Sequence, residues 1–107
     1  MSKTLIYDNI IFLSGQVAND VTDNIQNQTI SCLDKIETLL AEAGSNKSHI
    51  LTTTIYIRDM KDFAAMNEIW DNWTLEGQKP ARTCVEAKMA RDEILIEITV
   101  TAAKPNS

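Results

Sequence analysis

The most regular pattern in the sequence is an alternation of apolar and polar residues near its C-terminal end. Residues 94–101 (ILIEITVT) place an isoleucine or valine at every second position, and residues 82–88 (RTCVEAK) alternate charged residues and a cysteine with small or apolar ones. A two-residue period is typical of β-strands that bury one face. Because the connecting residues 89–93 (MARDE) are mostly polar, the simplest prediction is that the two strands form an antiparallel hairpin.

This predicted hairpin brings three chemically notable residues together. In the register that a short connection favours, Arg82, Cys84 and Glu97 share one face, and Arg82 and Glu97 lie roughly 13 Å apart along the strands. An arginine offers a planar pair of donors that suits a carboxylate or a phosphate. On spacing alone, two solvated charges on a strand surface are the more frequent arrangement.

Three further strands are predicted upstream. Residues 4–7 and 10–14 are rich in β-forming residues and flank the turn pair Asp8-Asn9, which predicts a first hairpin. Gly15 follows it, and a glycine there either allows close approach of the backbone to a ligand or simply ends the strand. Residues 51–57 predict the third strand, with Leu51, Thr53, Ile55 and Ile57 on one face.

Apolar residues at helical spacing predict a first helix over residues 25–43. Thr22 or Asp23 is expected to cap its start, and Gly44 to end it. Cys32 lies in the apolar stripe of this helix, so its expected role is packing.

A second amphipathic helix is predicted over residues 63–73, with Asp59 or Asp62 as its cap. Its apolar stripe is expected to face the core, and the nearby Asn67 would then need a hydrogen-bond partner. Residues 77–80 are expected to end the helix, and residues 103–107 to form a frayed tail.

The predicted order is therefore ββαβαββ, which belongs to the α+β class: a mixed sheet with two helices packed on one face. At 107 residues, the chain is expected to form one domain over residues 1–107. Both faces of the sheet carry apolar residues, whereas two helices can cover one face only. The uncovered face predicts association with other chains.

Composition excludes several classes of function. A net charge of -5 disfavours non-specific binding to nucleic acid or to anionic membranes. No apolar run approaches the roughly 20 residues of a membrane span, and the N-terminal residues do not resemble a secretory signal. A single histidine and two cysteines without CxxC spacing make a zinc site improbable. A reduced, cytoplasmic location is therefore expected.

Five stretches of the chain, taken in order, resemble the YjgF/Rid family of reactive-intermediate deaminases. They are residues 12–16 (FLSGQ), 53–59 (TTIYIRD), 62–67 (DFAAMN), 80–86 (PARTCVE) and 95–98 (LIEI), so the resemblance extends over nearly the whole chain. Residues 44–48 (GSNKS) and 70–73 (WDNW) resemble the short YoaB-type branch more than the founding deaminases.

The resemblance implies a chorismate-mutase-like (Rid) fold and a homotrimer with ligand pockets between adjacent subunits. It also implies hydrolysis of reactive 2-enamine or 2-imine carboxylates, such as 2-aminoacrylate, to 2-oxo acids and ammonia, as in a 2-iminobutanoate/2-iminopropanoate deaminase. Neither a cofactor nor a metal is implied.

The family pattern also implies roles for individual residues. Arg82 would grip the substrate carboxylate, and Glu97 would hold and relay the proton that hydrolysis requires. Cys84, Gly15 and Asn67 match positions that line the pocket and bind substrate. Founding members carry a Gly-Pro-Tyr-Ser segment before the first strand, whose tyrosine reaches the pocket. This sequence lacks that segment, which bears on deaminase efficiency and substrate range.

Two other functions compete with this interpretation. One is a regulatory trimer that binds a small carboxylate without turnover; it would need Arg82 but not Glu97. The other is an RNA-directed role, since some relatives are described as endoribonucleases or translation inhibitors. The acidic balance and the lack of a basic stripe weigh against RNA binding.

Overall fold

The computed structural model of the protein describes residues 2–74 and 79–105. These residues form one five-stranded sheet with two helices on one of its faces, so the predicted α+β class and the ββαβαββ order are confirmed. The elements are β1 (Thr4–Tyr7), β2 (Ile10–Leu13), α1 (Ile25–Glu42), β3 (Ile50–Ile57), α2 (Phe63–Trp73), β4 (Ala81–Glu86) and β5 (Ile96–Ala103). Short 3-10 helices, Lys47–His49 and Met60–Asp62, precede β3 and α2.

The strand order in the sheet is β1-β2-β5-β3-β4. β4 pairs with β3 in parallel, and β5 pairs with β2 and β3 in antiparallel fashion. The predicted hairpin of the last two strands is therefore wrong, because β3 lies between β4 and β5. The alternation correctly marked both segments as strands, but it carries no information about which strand each one pairs with.

The bounds of the last two strands also differ from the prediction. They cover residues 81–86 and 96–103, rather than 82–88 and 94–101. Ala103 is the last residue of β5, and the amide of Lys104 donates to the carbonyl of Asn9 over 2.7 Å, so the chain is not frayed at this point. The rest of the predicted tail, residues 106–107, lies outside the described residues.

The two helices cover the sheet face that carries the isoleucines of the central strands. Its fully buried strand residues are Ile11, Ile55, Ile57, Ile96, Ile98 and Ala102. α1 adds Cys32, Ile36 and Leu40, and α2 adds Met66, all with no exposed surface. The predicted packing role of Cys32 is thus confirmed. Each large side chain buried in this way stabilises the fold by about 1.5–3 kcal/mol relative to an exposed one.

Local signals explain where the helices begin and end. Asn24, rather than Thr22 or Asp23, caps α1, and its side chain accepts a hydrogen bond from the amide of Asn27. Gly44 follows the helix with a positive φ of 84°, which glycine adopts without strain, so the predicted stop is confirmed.

The bounds of α2 agree with the prediction, whereas its predicted cap does not. Asp62 stands at the N-cap position without a side-chain hydrogen bond, and Asp59 caps the preceding 3-10 helix instead. The helix ends at Trp73, ahead of the predicted stop at residues 77–80, of which residues 77–78 lie outside the described part.

A buried glutamine, Gln28 of α1, connects this helix to the segment before β5. Its Nε2 donates to the carbonyls of Val21, Asp23 and Glu93 over 3.2, 3.0 and 3.1 Å. Its Oε1 accepts from the amide of Leu95 over 3.0 Å. Because Gln28 is completely buried, its hydrogen bonds are made within the protein rather than to water.

In the described residues no helix covers the second face of the sheet, which we call the open face. Leu5, Tyr7, Phe12 and Val85 belong to it, and they are 62%, 71%, 44% and 38% exposed. The predicted surplus of apolar strand surface is therefore present in the single chain. Neither described helix has the length and apolar character needed to cross a membrane.

Candidate active site

Arg82 is the second residue of β4, the strand at one edge of the sheet, and it faces α2. Its Nη1 donates a hydrogen bond of 2.6 Å to Oδ1 of Asn67. Its Cζ lies 5.8 Å from the ring centroid of Phe63 and 5.6 Å from that of Trp70. Both distances are within the range of a cation–π interaction. Helical spacing places Phe63, Asn67 and Trp70 on one face of α2, so all three contact the same guanidinium of Arg82.

Cys84 lies two residues further along β4, on the same face as Arg82, and is half-buried. Desolvation raises the pKa of its thiol, and the positive charge of Arg82 opposes that rise only in part. At neutral pH Cys84 is therefore a thiol rather than a thiolate, which makes it a poor nucleophile.

Glu97 lies on β5 and belongs to the open face of the sheet. It pairs with Tyr56 of β3 and is half-buried within the single chain. Its side chain lies against Gly15: a β-carbon at Gly15 would come within 2.7 Å of Cδ and 3.0 Å of Cγ of Glu97. Gly15 thus leaves room for the observed orientation of the Glu97 side chain, and its backbone conformation does not itself require a glycine.

The candidate residues therefore form two clusters on opposite faces of the sheet. The first, which we call the arginine cluster, comprises Arg82, Asn67 and Cys84; the second, the glutamate cluster, comprises Glu97 and Gly15. The expectation that Arg82, Cys84 and Glu97 share a face is wrong. It rested on direct pairing of β4 with β5, whereas β3 separates them.

The separation of the two clusters follows from the register. Arg82 pairs with Thr53, while Glu97 pairs with Tyr56, three residues further along β3. Two strand spacings and three residues put the Cα atoms about 14 Å apart, with the side chains pointing to opposite sides. Within one chain, Arg82 and Glu97 cannot contact the same small molecule.

The loop that carries Gly15 is fixed to both β5 and α1. Gln16 exchanges two backbone hydrogen bonds with Ile98, of 2.9 and 3.0 Å. From α1, Nζ of Lys35 donates to the carbonyl of Val17 over 2.8 Å, and Sγ of Cys32 donates to the carbonyl of Gln16 over 3.4 Å. This loop gives no regular pattern in the sequence, so its attachment was not predicted.

Sequence reasoning also missed the aromatic contacts of Arg82. The stripe of α2 was expected to be core, and Trp70 is indeed 4% exposed; Phe63, however, is 38% exposed and lies beside Arg82. The spacing could have indicated a shared contact, because Phe63, Asn67 and Trp70 stand at positions i, i+4 and i+7 and so lie on one face of the helix. The pattern alone could not identify their common neighbour on β4.

Other features of the described residues do not coincide with these clusters. A cavity of about 630 Å³ at the carboxyl ends of β3 and β4 is lined by Arg58, Asp59, residues 86–89 and Asp92. Its charges are partly paired, since Arg58 and Asp92 form a salt bridge of 3.0 Å. Across the described ranges, no three His, Cys, Asp or Glu side chains are grouped in a way that could hold a metal ion.

Comparison with known proteins decides the family. The sequence model of the family described as endoribonuclease L-PSP matches residues 1–104. The chain belongs to this family. A RutC family protein from Haemophilus influenzae is 41% identical to this chain, over 95% of this chain and 89% of its own. The RutC family protein YoaB from Escherichia coli is 38% identical over the same shares.

A solved structure agrees with the fold described above. A member of the YjgF protein family from Neisseria meningitidis superposes with a TM-score of 0.97 at 44% identity, covering 100% of this chain and 89% of that one. The resemblance to the YjgF/YoaB group that the sequence motifs predicted is therefore confirmed.

Proposed function

We propose that the protein hydrolyses small 2-imino carboxylates, which form from 2-enamines such as 2-aminoacrylate, to 2-oxo acids and ammonia. The observation that carries the proposal is the setting of Arg82, whose guanidinium is bonded to Asn67 and flanked by two aromatic rings. A guanidinium held in place is a strong partner for a carboxylate, because two parallel charge-assisted hydrogen bonds can form. The resemblance of the motifs to the Rid deaminases supports this substrate class.

The proposed reaction needs one water molecule and one group that moves protons. Water adds to the carbon of the C=N bond, both protons of the water pass in turn to the nitrogen, and the C–N bond breaks to release ammonia while the water oxygen becomes the carbonyl oxygen of the 2-oxo acid. We assign carboxylate binding to Arg82 and proton transfer between water and nitrogen to Glu97. Cys84 and the backbone at Gly15 line the pocket. The raised pKa of Cys84 supports a lining role rather than a nucleophilic one.

The proposed site is shared between two copies of the chain. Because Arg82 and Glu97 lie on opposite faces of the sheet, a substrate bound to Arg82 would meet Glu97 of a neighbouring copy. The exposed apolar residues of the open face, including Phe12 and Val85, support burial of that face in an assembly. We propose a homotrimer, as the family resemblance implies, with one pocket at each contact between adjacent subunits.

One observation favours a second function, that of a regulatory protein that binds a small carboxylate without turnover. Among the described residues of a single chain, no carboxylate forms a salt bridge with Arg82, and Glu97 lies on the opposite face of the sheet. A regulatory protein that binds a small carboxylate without turnover would need the arginine cluster but not Glu97. The two functions therefore differ in the effect of Glu97→Gln, which leaves carboxylate binding intact in both and abolishes turnover only in the first.

The test is a coupled assay in which a serine or threonine dehydratase supplies the enamine and 2-oxo acid formation is followed with and without the protein. We expect acceleration by the wild type. A charged hydrogen-bond pair contributes about 1.5–3 kcal/mol, so Arg82→Ala should lower kcat/KM by about ten- to a few hundredfold. Arg82→Lys should not restore activity, because lysine keeps the charge but loses the planar fork.

Calorimetry with pyruvate or 2-oxobutyrate provides the matching binding measurement. Affinity should fall in parallel with kcat/KM in Arg82→Ala, and the uncharged amides of these acids should bind poorly to both proteins. Equal affinity of the 2-oxo acids for the wild type and for a natively folded Arg82→Ala would contradict the assignment of Arg82. Binding without any acceleration would favour the regulatory function.

A further inference from the structure

We propose that Phe63 and Trp70 are positioning residues: they hold the guanidinium of Arg82 in one orientation, ready to receive a carboxylate. This inference rests on the proposed function, in which Arg82 is the carboxylate anchor. It extends the site to two aromatic side chains to which the sequence analysis assigned no role in ligand binding.

The geometry of the arginine cluster supports a fixed guanidinium. Arg82 Cζ lies within 6 Å of both ring centroids, at 5.8 Å for Phe63 and 5.6 Å for Trp70. The hydrogen bond from Nη1 to Asn67 adds a third contact from the same face of α2. Among the described residues, Asn67 is the one side chain that accepts a hydrogen bond from Arg82. An arginine has five N–H donors, so the contacts within the described part of the chain leave most of them available to a carboxylate.

The two rings differ in how they are anchored. Trp70 is 4% exposed and packs in the core, so its own position is set by the fold. Phe63 is the first residue of α2 and is 38% exposed, and the 3-10 helix before it is held to β4 by a hydrogen bond of 2.9 Å from the amide of Met60 to Oε1 of Glu86. Both rings are thus supported independently of Arg82.

A fixed guanidinium binds better than a mobile one, because a long arginine side chain loses rotamer freedom when it binds a ligand. Aromatic contacts that restrict it beforehand reduce that loss. Their effect should therefore appear in substrate affinity and KM, and leave kcat nearly unchanged, since neither ring is assigned a role in proton transfer.

Phe63→Leu is the decisive variant, because Phe63 is partly exposed and its replacement leaves the core intact. We expect it to weaken 2-oxobutyrate binding and to raise KM about three- to tenfold, with kcat within about twofold of the wild type. Phe63→Tyr keeps a ring and should restore wild-type values. The control is Ile30→Ala, which shortens an exposed apolar side chain on the other helix, α1. It should change neither the 2-oxobutyrate affinity nor KM.

A double-mutant cycle tests whether Phe63 acts through Arg82. In an Arg82→Ala background, Phe63→Leu should have no further effect on 2-oxobutyrate affinity. An undiminished effect in that background would overturn the inference, since Phe63 would then contact the ligand directly or support the fold in general.

A spectroscopic measurement separates this inference from the proposed function. In the free protein, ring currents should shift the NMR resonance of the Arg82 Nε–H group, and Phe63→Leu should move it whereas Ile30→Ala should not. If this shift is found and no enamine hydrolysis or 2-oxo acid binding occurs, the positioning holds and the proposed function fails. If hydrolysis occurs but the resonance and KM are indifferent to Phe63→Leu, the positioning role is wrong.

Discussion

At Gly15 the backbone lies close to the side chain of Glu97, a candidate catalytic residue. A β-carbon there would collide with the carboxylate group of Glu97, which must then turn away. Because the colliding atoms belong to the end of a flexible side chain, Gly15→Ala should cost less than about 1 kcal/mol in unfolding free energy, below the usual range for overpacking a rigid core. It should nevertheless lower turnover about as much as Glu97→Gln does.

Steady-state kinetics and urea unfolding of the two variants provide the measurement. Wild-type turnover in Gly15→Ala, with Glu97→Gln inactive, would mean that the orientation of Glu97 seen here does not matter for catalysis.

Cys32 makes the stability depend on pH in the alkaline range. Burial raises the pKa of its thiol to about 12, from 9.0 for an exposed thiol. Above pH 9 the unfolded chain loses this proton and the folded chain keeps it, so the folded state becomes less stable as the pH rises. Below pH 9 both states are protonated and the contribution is constant.

We therefore expect the stability advantage of the wild type over Cys32→Ala to shrink steadily as the pH rises from 9 to about 12. Urea unfolding of both proteins at several pH values measures this difference directly, since lysine and tyrosine titrations are common to both. A difference that stays constant across the range would show that Cys32 ionises equally in the folded and unfolded states.

At the scale of elements, Gln28 joins α1 to the start of β5 through one buried side chain. Gln28→Leu preserves the volume but leaves the amide of Leu95 without its acceptor and three carbonyls without their donor. A buried group that loses its partner costs about 1–3 kcal/mol, so we expect a loss of roughly 3 kcal/mol in unfolding free energy. Denaturant unfolding gives the value.

The matched control is Gln26→Leu, the same substitution on the exposed side of α1. It should change the stability by less than about 0.5 kcal/mol, as expected for a surface position. If both variants lost the same stability, the cost would come from the substitution itself and not from the buried hydrogen bonds.

Elements were predictable from the sequence because each one is specified by its own residues. Helix α2 was placed with its observed bounds, and all five strands were recognised. The neighbours of β4 and β5 were not predictable, because alternation specifies faces and not partners. The isoleucines of β5 do indicate that Glu97 points away from the core, since Ile96 and Ile98 flank it and are fully buried.

The candidate site was likewise predictable only in part: its residues could be proposed from the sequence, but their arrangement could not. The motif resemblance proposed the residues of both clusters as candidates, and the structure shows that Arg82 is the hydrogen-bond partner that Asn67 was expected to need. It could not separate the clusters, because Arg82 is a charged residue on the face that elsewhere forms the core. This placement is possible only because β4 is an edge strand, where α2 leaves Arg82 partly exposed.

At the scale of the whole molecule, the exposed apolar residues of the open face predict that several copies of the chain associate. We expect light scattering to give three times the 12.0 kDa mass of one chain. Phe12→Glu should lower that mass, because it puts a charge into the apolar part of the open face, where Phe12 is 44% exposed. A wild-type mass of one chain in dilute buffer would contradict the trimer.

Mixing two inactive variants tests whether neighbouring copies share the site. Chains that carry Arg82→Ala and chains that carry Glu97→Gln, unfolded and refolded together in equal amounts, form some contacts at which both wild-type residues meet. Random assembly of a cyclic trimer restores about one quarter of the sites. Activity near that level would support a shared site; no recovery in mixed assemblies would contradict it.

The position of β5 in the sheet has a consequence for synthesis on the ribosome. β5 is the last of the five described strands in chain order, yet it pairs with β2 on one side and β3 on the other, and Ile10 pairs with Ala103. Until β5 emerges, β2 and β3 both present unpaired edges, which can pair with other nascent chains. Closing the sheet then requires contacts between distant parts of the sequence, which makes folding slow compared with helical proteins of this size. We therefore expect the incomplete chain to be prone to strand pairing with other chains until β5 is available.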